Sequence, residues 1–558
     1  MRWVAKICFL VLAPGLMLAQ TTAQNAPSDP TSVATELKAL REAMAQQQQQ
    51  IAQQQQQIDK LTKALDEKTA GTPHVENATL TTNAPATANA VASDVQEEKP
   101  KESPLSFRIG AAEFTPGGFV DFENVFRTTN TGNVTATNFW AIPYSTQGAA
   151  GHLTEYRATG QYSRFNLRTH AKYGQNDITG YFEFDFNGND AANVFVTSNP
   201  HTNRIRLYWL DLKRDKWEFL GGQTWGLQTP NRVGLSPNPA DLFTTLGEDA
   251  QTHVGINYTR AAEFRATYHF NDNFQWAAAI QNPNQFGGPA VAGINPVTLP
   301  ASFNAILGPQ IDFADKGTVA NITPDVHTKF AYDTSVMGGR HFHFEGGGLL
   351  TTAKVTVVPT APGSTFHSHS TVGGGFDTAL NFDLLNAGGR NLRFIGNGMW
   401  GYGVGRYLIG MGPQFVVVPV QTGPATFDVR TSGVHSGDVV LGFEAQPFPK
   451  TQLGAYYGGA YFQRNFFGDL TAAGAGPCGG KPCIGFGFPG SNAVATNRAI
   501  QEGTIDWTQT FWKNPQYGAV LLVTQASYVT RAPWSFAAGA PKNAHLTMGY
   551  VSLRYILP

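Results

Sequence analysis

Charge is scarce in this chain. Asp, Glu, Lys and Arg make up 14% of its 558 residues, against about 25% in an ordinary soluble domain. The formal net charge is −1, so binding to nucleic acid has no electrostatic basis. Beyond the N-terminus there is no run of some 20 apolar residues, the length a membrane-spanning helix needs. Cysteine is nearly absent as well. Cys8 lies in the N-terminal apolar segment, which leaves Cys478 and Cys483 in a Gly/Pro-rich stretch. His341 and His343, and His367 and His369, alternate as paired ligands would, but no cysteine or carboxylate cluster of ligand spacing stands beside them in sequence. They are expected to be surface polar residues, with no metal and no cofactor. Gly346-Gly347-Gly348 and Gly373-Gly374-Gly375 lack the Lys-Ser/Thr and helix of a phosphate loop. No local motif assembles a Ser/His/acid set, so an enzyme is not expected.

What is present is glycine (60 residues), a 12% share of aromatics, and alternation. Ser163, Phe165, Leu167, Thr169, Ala171 and Tyr173 interleave with Arg164, Asn166, Arg168, His170 and Lys172. After Gly174–Asp177, Ile178, Gly180, Phe182, Phe184 and Phe186 interleave with Thr179, Tyr181, Glu183, Asp185 and Asn187. Successive strand residues face opposite ways, so one face is greasy and the other charged. Hairpins of this kind recur over some 450 residues. That pattern suits a transmembrane barrel with its apolar side toward lipid, which must close because lipid tolerates no open sheet edge.

The chain divides into four parts. Residues 1–23 read as a signal peptide, with Arg2 and Lys6 ahead of the apolar Ile7–Leu18 and small residues after it. Residues 24–70 read as an α-helical coiled coil. Leu37, Met44, Ile51, Ile58 and Leu65 form one seam position, and Val33, Leu40, Gln47, Gln54 and Leu61 the other. A coiled coil implies self-association. Residues 71–104, rich in Thr, Ala, Asn, Pro and Glu, read as a linker. From 105 to 558 the barrel follows. In an exported protein, Cys478 and Cys483 are expected to form a disulfide.

Sixteen antiparallel strands can be placed, near 117–127, 161–173, 178–187, 203–213, 216–227, 261–270, 273–282, 324–333, 341–352, 372–384, 391–402, 434–446, 451–464, 497–512, 516–530 and 545–557. Short and long connections alternate between them, as periplasmic turns and extracellular loops do. Residues 252–259 are strand-like but would break the parity. They are therefore assigned to the third long loop, with an 18-stranded barrel as the alternative. A barrel of this size encloses an aqueous channel. Arg164, Arg168, Lys172, Arg204, Arg206, Arg265, Lys329 and Arg393 are the basic candidates for its lining. Asp121, Glu123, Glu183, Asp185, Asp377, Asp383, Glu444, Glu502 and Asp506 are the acidic ones. Basic residues concentrate on the second, fourth and sixth strands and acidic ones on the tenth to fourteenth, so a transverse field is expected. Arg164 and Arg168 are expected to pair across the hairpin with Glu183 and Asp185. The loop after the fifth strand, with Arg232, Asp241, Glu248 and Asp249 and stiffened by Pro230, Pro237 and Pro239, is expected to fold inward as a constriction.

Several short stretches carry a family likeness. They are Gly117-Gly118-Phe119-Val120-Asp121, Ser163-Arg164 with Arg168, Gly180-Tyr181-Phe182-Glu183-Phe184-Asp185-Phe186, Arg204-Ile205-Arg206, Gly221-Gly222-Gln223-Thr224-Trp225 and Gln281-Asn282-Pro283. With the signal peptide and coiled coil, they make the chain resemble the DcaP-like trimeric porins of Gram-negative outer membranes. The resemblance implies a sixteen-stranded homotrimer in outer-membrane lipid, with an arginine-lined pore that prefers small anions such as dicarboxylates. A phosphate-selective porin would carry a denser Arg/Lys ladder. A different class of function is a structural tether, in which the coiled coil grips peptidoglycan and the barrel is only its anchor.

Overall fold

The computed structural model describes residues 103–558 apart from 133–134, 147, 189–201, 239–251, 258, 317–318, 322, 337 and 361–363. The expected signal peptide, coiled coil and linker (up to residue 102), and Asp241, Glu248 and Asp249, lie outside the described residues.

Sixteen strands form one antiparallel barrel. They are β1 (Ala112–Arg127), β2 (Glu155–Thr159 and Arg164–Tyr173), β3 (Asn176–Asp185), β4 (Arg204–Arg214), β5 (Trp217–Thr224), β6 (Ala261–His269), β7 (Phe274–Gln281), β8 (Asp325–Val336), β9 (Arg340–Val357), β10 (His367–Ala387), β11 (Arg390–Tyr402), β12 (His435–Phe448), β13 (Thr451–Phe462), β14 (Asn497–Asn514), β15 (Gly518–Pro533) and β16 (Ala544–Ile556). Each pairs with the next. The circle closes where β1 meets β16, from Phe119 opposite Ile556 to Arg127 opposite Met548. Closure leaves no edge to be satisfied by lipid. Short strands outside the barrel are Phe107–Ile109, which doubles back on the start of β1, and two loop hairpins, Phe415–Gly423 with Thr426–Gly433 and Asn465–Gly468 with Cys483–Phe486. The eighteen-strand alternative is thereby set aside, because Thr252–Asn257 adopts no strand and lies in the third long loop.

The period of two sorts the residues as expected. On β1, Val120, Phe122 and Phe126 are exposed while Asp121, Glu123 and Arg127 are buried. On β6, Phe264 is 72% exposed between Glu263 at 4% and Arg265 at 3%. An exposed aromatic and aliphatic skin continuous around a barrel is stable only in an apolar surrounding.

β2 is longer than the sequence suggested and broken in the middle. Between Glu123↔Thr159 and Phe119↔Arg164, five steps on β2 face four on β1, which is a bulge. Ser163 fills the gap in the ladder: its hydroxyl accepts from the Asp121 amide at 3.0 Å and donates to the Asp121 carbonyl at 3.3 Å. Without that extra residue, Arg164 and Arg168 would point at lipid.

The long loops turn inward. Phe139, Val254, Phe303, Leu307, Tyr407, Met411, Phe415, Val417 and Phe486, all from loops or loop hairpins, are buried in one apolar cluster with wall residues such as Val355 and Met399. The sequence reading anticipated one loop inside a polar lumen. In the structure several loops pack there, because runs such as Val416-Val417-Val418 bury better against one another than against water. Cys478 and Cys483 are disulfide-bonded, with Cα atoms 5.2 Å apart, and close a turn in one of these loops.

Candidate pore lining

The basic wall is built by β2–β6. Arg206 of β4 is completely buried and donates to Glu183 at 2.8 Å and to Asp185 at 2.7 Å, both on β3. Arg204, two residues earlier on the same face, grips Asp185 with two bonds of 3.0 and 2.6 Å. Arg164 lies 3.7 Å from Glu183, and the Tyr181 hydroxyl donates to the same carboxylate at 2.7 Å. Three guanidiniums thus meet two carboxylates, an excess of one positive charge held by charge-assisted bonds. Arg168, expected to join this network, faces Tyr181 across the hairpin and is exposed, with no ion pair among the described residues. Lys172 is also exposed and sits 3.9 Å from Asp177 at the turn.

The Gly-Gln-Thr-Trp stretch at the end of β5 buttresses this wall. Gln223 donates to the Arg206 carbonyl at 2.6 Å. The Thr224 hydroxyl donates to Glu263 at 2.7 Å, and Glu263 receives Arg265 at 2.6 Å. The Trp225 ring has the guanidinium of Arg206 at 5.6 Å and that of Arg260 at 5.2 Å, both within cation–π range.

From Trp225 the loop crosses the interior to the opposite wall. The Asn231 amide donates to Glu345 of β9 at 2.8 Å, and the Gly234 amide to Asp333 of β8 at 2.9 Å. Arg232 forms a two-pronged pair with Glu444 of β12 at 2.6 and 2.8 Å. The crevice left between Pro230–Arg232 and the strands has a volume of 20 Å³, room for about one water. Further on, the Val254 amide donates to Glu502 of β14 at 2.9 Å, and Asn397 of β11 donates to Asn257 at 2.8 Å. Glycines permit this close approach. A Cβ on Gly458 would lie 1.8 Å from the Val254 carbonyl oxygen, and one on Gly255 2.1 Å from that of Val439.

Several further charges are paired in the wall. Lys329 of β8 is buried between Glu345 at 3.0 Å and Asp377 at 2.8 Å, and also donates to the Gln228 carbonyl at 2.9 Å. Arg393 of β11 donates to Asp383 of β10 at 2.7 Å. Asp121 receives Arg554 of β16 at 2.9 and 2.6 Å across the closing seam. Glu123 and Asp506 are buried on the inward face. His343, expected at the surface, is instead fully buried between Asp333 at 2.8 Å and Glu345 at 3.1 Å. His341 lies 3.3 Å from Asp333.

No protein-family model matches the chain, and no curated protein does. Among solved structures, the outer membrane channel DcaP of Acinetobacter baumannii matches with a TM-score of 0.52 at 14% identity, covering 80% of this chain and 98% of its own. The chain has the porin barrel fold. An anion-selective porin from Comamonas acidovorans (TM-score 0.40, 12% identity, 80% and 100% covered) and Salmonella typhi OmpF (0.41, 10%, 81% and 100%) also match. Of these, DcaP is an outer membrane channel and the Comamonas protein an anion-selective porin.

Sequence reasoning missed several inward arginines of this porin fold, Arg554 at the closing seam among them. Arg127 pairs with Glu155 at 2.9 Å beneath the first long loop, Arg531 donates to the Ile142 carbonyl at 2.7 Å, and Arg260 faces Trp225. Arg127 and Arg531 sit at strand ends, where the alternation is short and loop partners are invisible. Tyr407, in the loop after β11, donates to Asp325, and its burial pushes the phenol well above its usual pKa, so it acts as a neutral donor.

Proposed function

We propose that this protein is an outer-membrane porin passing small hydrophilic solutes, with a preference for anions such as small dicarboxylates. The observation that carries the reading is the sorting of residues by the closed barrel: an apolar skin outside, and inside it a wall on β2–β4 with one net positive charge and the exposed Arg168 and Lys172. Low-dielectric walls focus such a field on passing ions. The loop that bears Arg232 narrows the passage, and the long loops face the cell exterior. Self-association as a trimer through the coiled coil belongs to the same reading.

A second reading has its own support. The density of loop packing inside the barrel, with fully buried Phe139, Leu307, Tyr407 and Met411, favours a closed anchor tethered to the cell wall. Conductance of the folded protein in a planar bilayer separates the two. Discrete channels with a reversal potential favouring anions support the porin. Folded, inserted protein without channels removes it and leaves the tether.

A further inference from the structure

We propose that His367, His369 and Asp428 form a binding site for one divalent first-row transition-metal ion, of the Zn²⁺ class, at the long-loop end of the barrel. His367 and His369 alternate on β10, so both rings leave the strand on one side. Asp428 comes from 59 residues further along, on the hairpin Phe415–Gly433, and was invisible as a partner in sequence. His367 Nδ1 lies 3.2 Å from one Asp428 oxygen and His369 Nε2 2.8 Å from the other. One ligand atom from each residue falls within 4.8 Å of the others.

Those spacings are close to what a metal needs. Bonds of about 2.0–2.1 Å to nitrogen and oxygen at tetrahedral angles separate ligand atoms by roughly 3.3 Å. Two imidazoles and a carboxylate are a donor set found in zinc sites with an open fourth position. His367 has a side chain 53% exposed, which gives the ion an entry path and leaves that position to water.

The third ligand is held in place independently of the histidines. Thr371 of β10 bonds the Thr431 hydroxyl at 2.6 Å and its carbonyl at 2.8 Å, and Thr360 receives the Phe427 amide at 3.1 Å. The Val429 amide donates to Asp428 at 2.8 Å. Arg430, two residues on, would repel a cation, but its guanidinium lies 6.0 Å from the Phe467 ring centroid. A bound ion would tie the hairpin to the barrel wall in place of two hydrogen bonds.

The test uses untagged, folded protein in detergent. Titration with ZnCl₂ near pH 7.5 by calorimetry is expected to give one ion per chain. Co²⁺ should develop visible absorption bands that Zn²⁺ abolishes. Asp428→Asn and His369→Ala are each expected to weaken binding at least tenfold, and His341→Ala to leave it unchanged. His367→Gln, at an exposed position that cannot disturb packing, must also weaken binding. Absence of binding at 1:1 stoichiometry overturns the proposal, as does binding retained in both His367→Gln and Asp428→Asn. This experiment does not depend on whether the barrel conducts.

Discussion

Arg393→Met removes one half of a buried pair. The Arg393 and Asp383 side chains are 5% and 0% exposed, on neighbouring strands and directly opposite in register, with a single 2.7 Å bond between them. Asp383 Oδ2 and Arg393 Nη2 have no hydrogen-bond partner among the described residues. The pair is therefore imperfectly satisfied, and an apolar pair of similar volume should be about as stable. Breaking it is different, because an unpartnered carboxylate is left in the wall at a cost of about 3–5 kcal/mol. That corresponds to roughly two to three and a half orders of magnitude in the unfolding constant. Urea unfolding of the protein refolded into lipid vesicles measures this. Arg393→Met should lower stability by that amount, and Arg393→Met with Asp383→Leu should recover to within about 1 kcal/mol of the parent. Glu444, on the far side of Arg393, keeps Arg232 and the Tyr456 hydroxyl in both variants. A single-variant cost below about 1 kcal/mol, the range of exposed pairs, would refute the burial assigned to this pair. So would a double variant as unstable as the single one.

Gly458→Val puts a side chain where the Val254 carbonyl lies 1.8 Å from an ideal Cβ, so the crossing loop must leave the wall. Single-channel conductance should rise and the unfolding midpoint fall, and an unchanged conductance would contradict the seat assigned to that loop. Arg168→Glu, at an exposed position, should move the reversal potential toward cations while changing stability by no more than about 0.5 kcal/mol. A reversal potential equal to the parent's would remove Arg168 from the selectivity argument. Replacing Cys478 and Cys483 by Ser opens a loop with a sequence separation of five, which should cost about 2 kcal/mol locally. Limited proteolysis should then cut within 469–483 sooner, with the melting of the barrel unaltered.

The strand plan was legible because membrane strands carry two one-dimensional signals, the period of two and the alternation of short turns with long loops. All sixteen positions follow from these, and so does the exclusion of 252–257 from the wall. The Ser163 bulge was not legible, since an extra residue leaves the pattern intact on either side of it. The cross-hairpin network was half legible. Arg164 meets Glu183, but Arg206 from the next strand takes the better bonds, so Arg168 is left to solvent. Contacts made by loops were illegible altogether. Lys329 with the Gln228 carbonyl spans 101 residues and Arg232 with Glu444 spans 212, separations that no local spacing encodes. The meeting of His369 with Asp428 escaped for the same reason, whereas the partners of His343 stand only ten and two residues away, at Asp333 and Glu345.

The unequal strand lengths make the barrel lopsided. β9 and β10 run for 18 and 21 residues, β5 and β7 for 8 each. In register with β7, seven of the thirteen extra residues of β10 (381–387) lie beyond its short-turn end and six (367–372) beyond its long-loop end, so at about 3.4 Å per residue and a tilt near 40° each rim is raised there by roughly 15–20 Å. The mouth is thus cut obliquely, with a parapet on one flank and a low sill on the other. The low flank lies beside β4–β6, where Arg204 keeps a part-exposed side chain while Arg206 and Arg265 are buried.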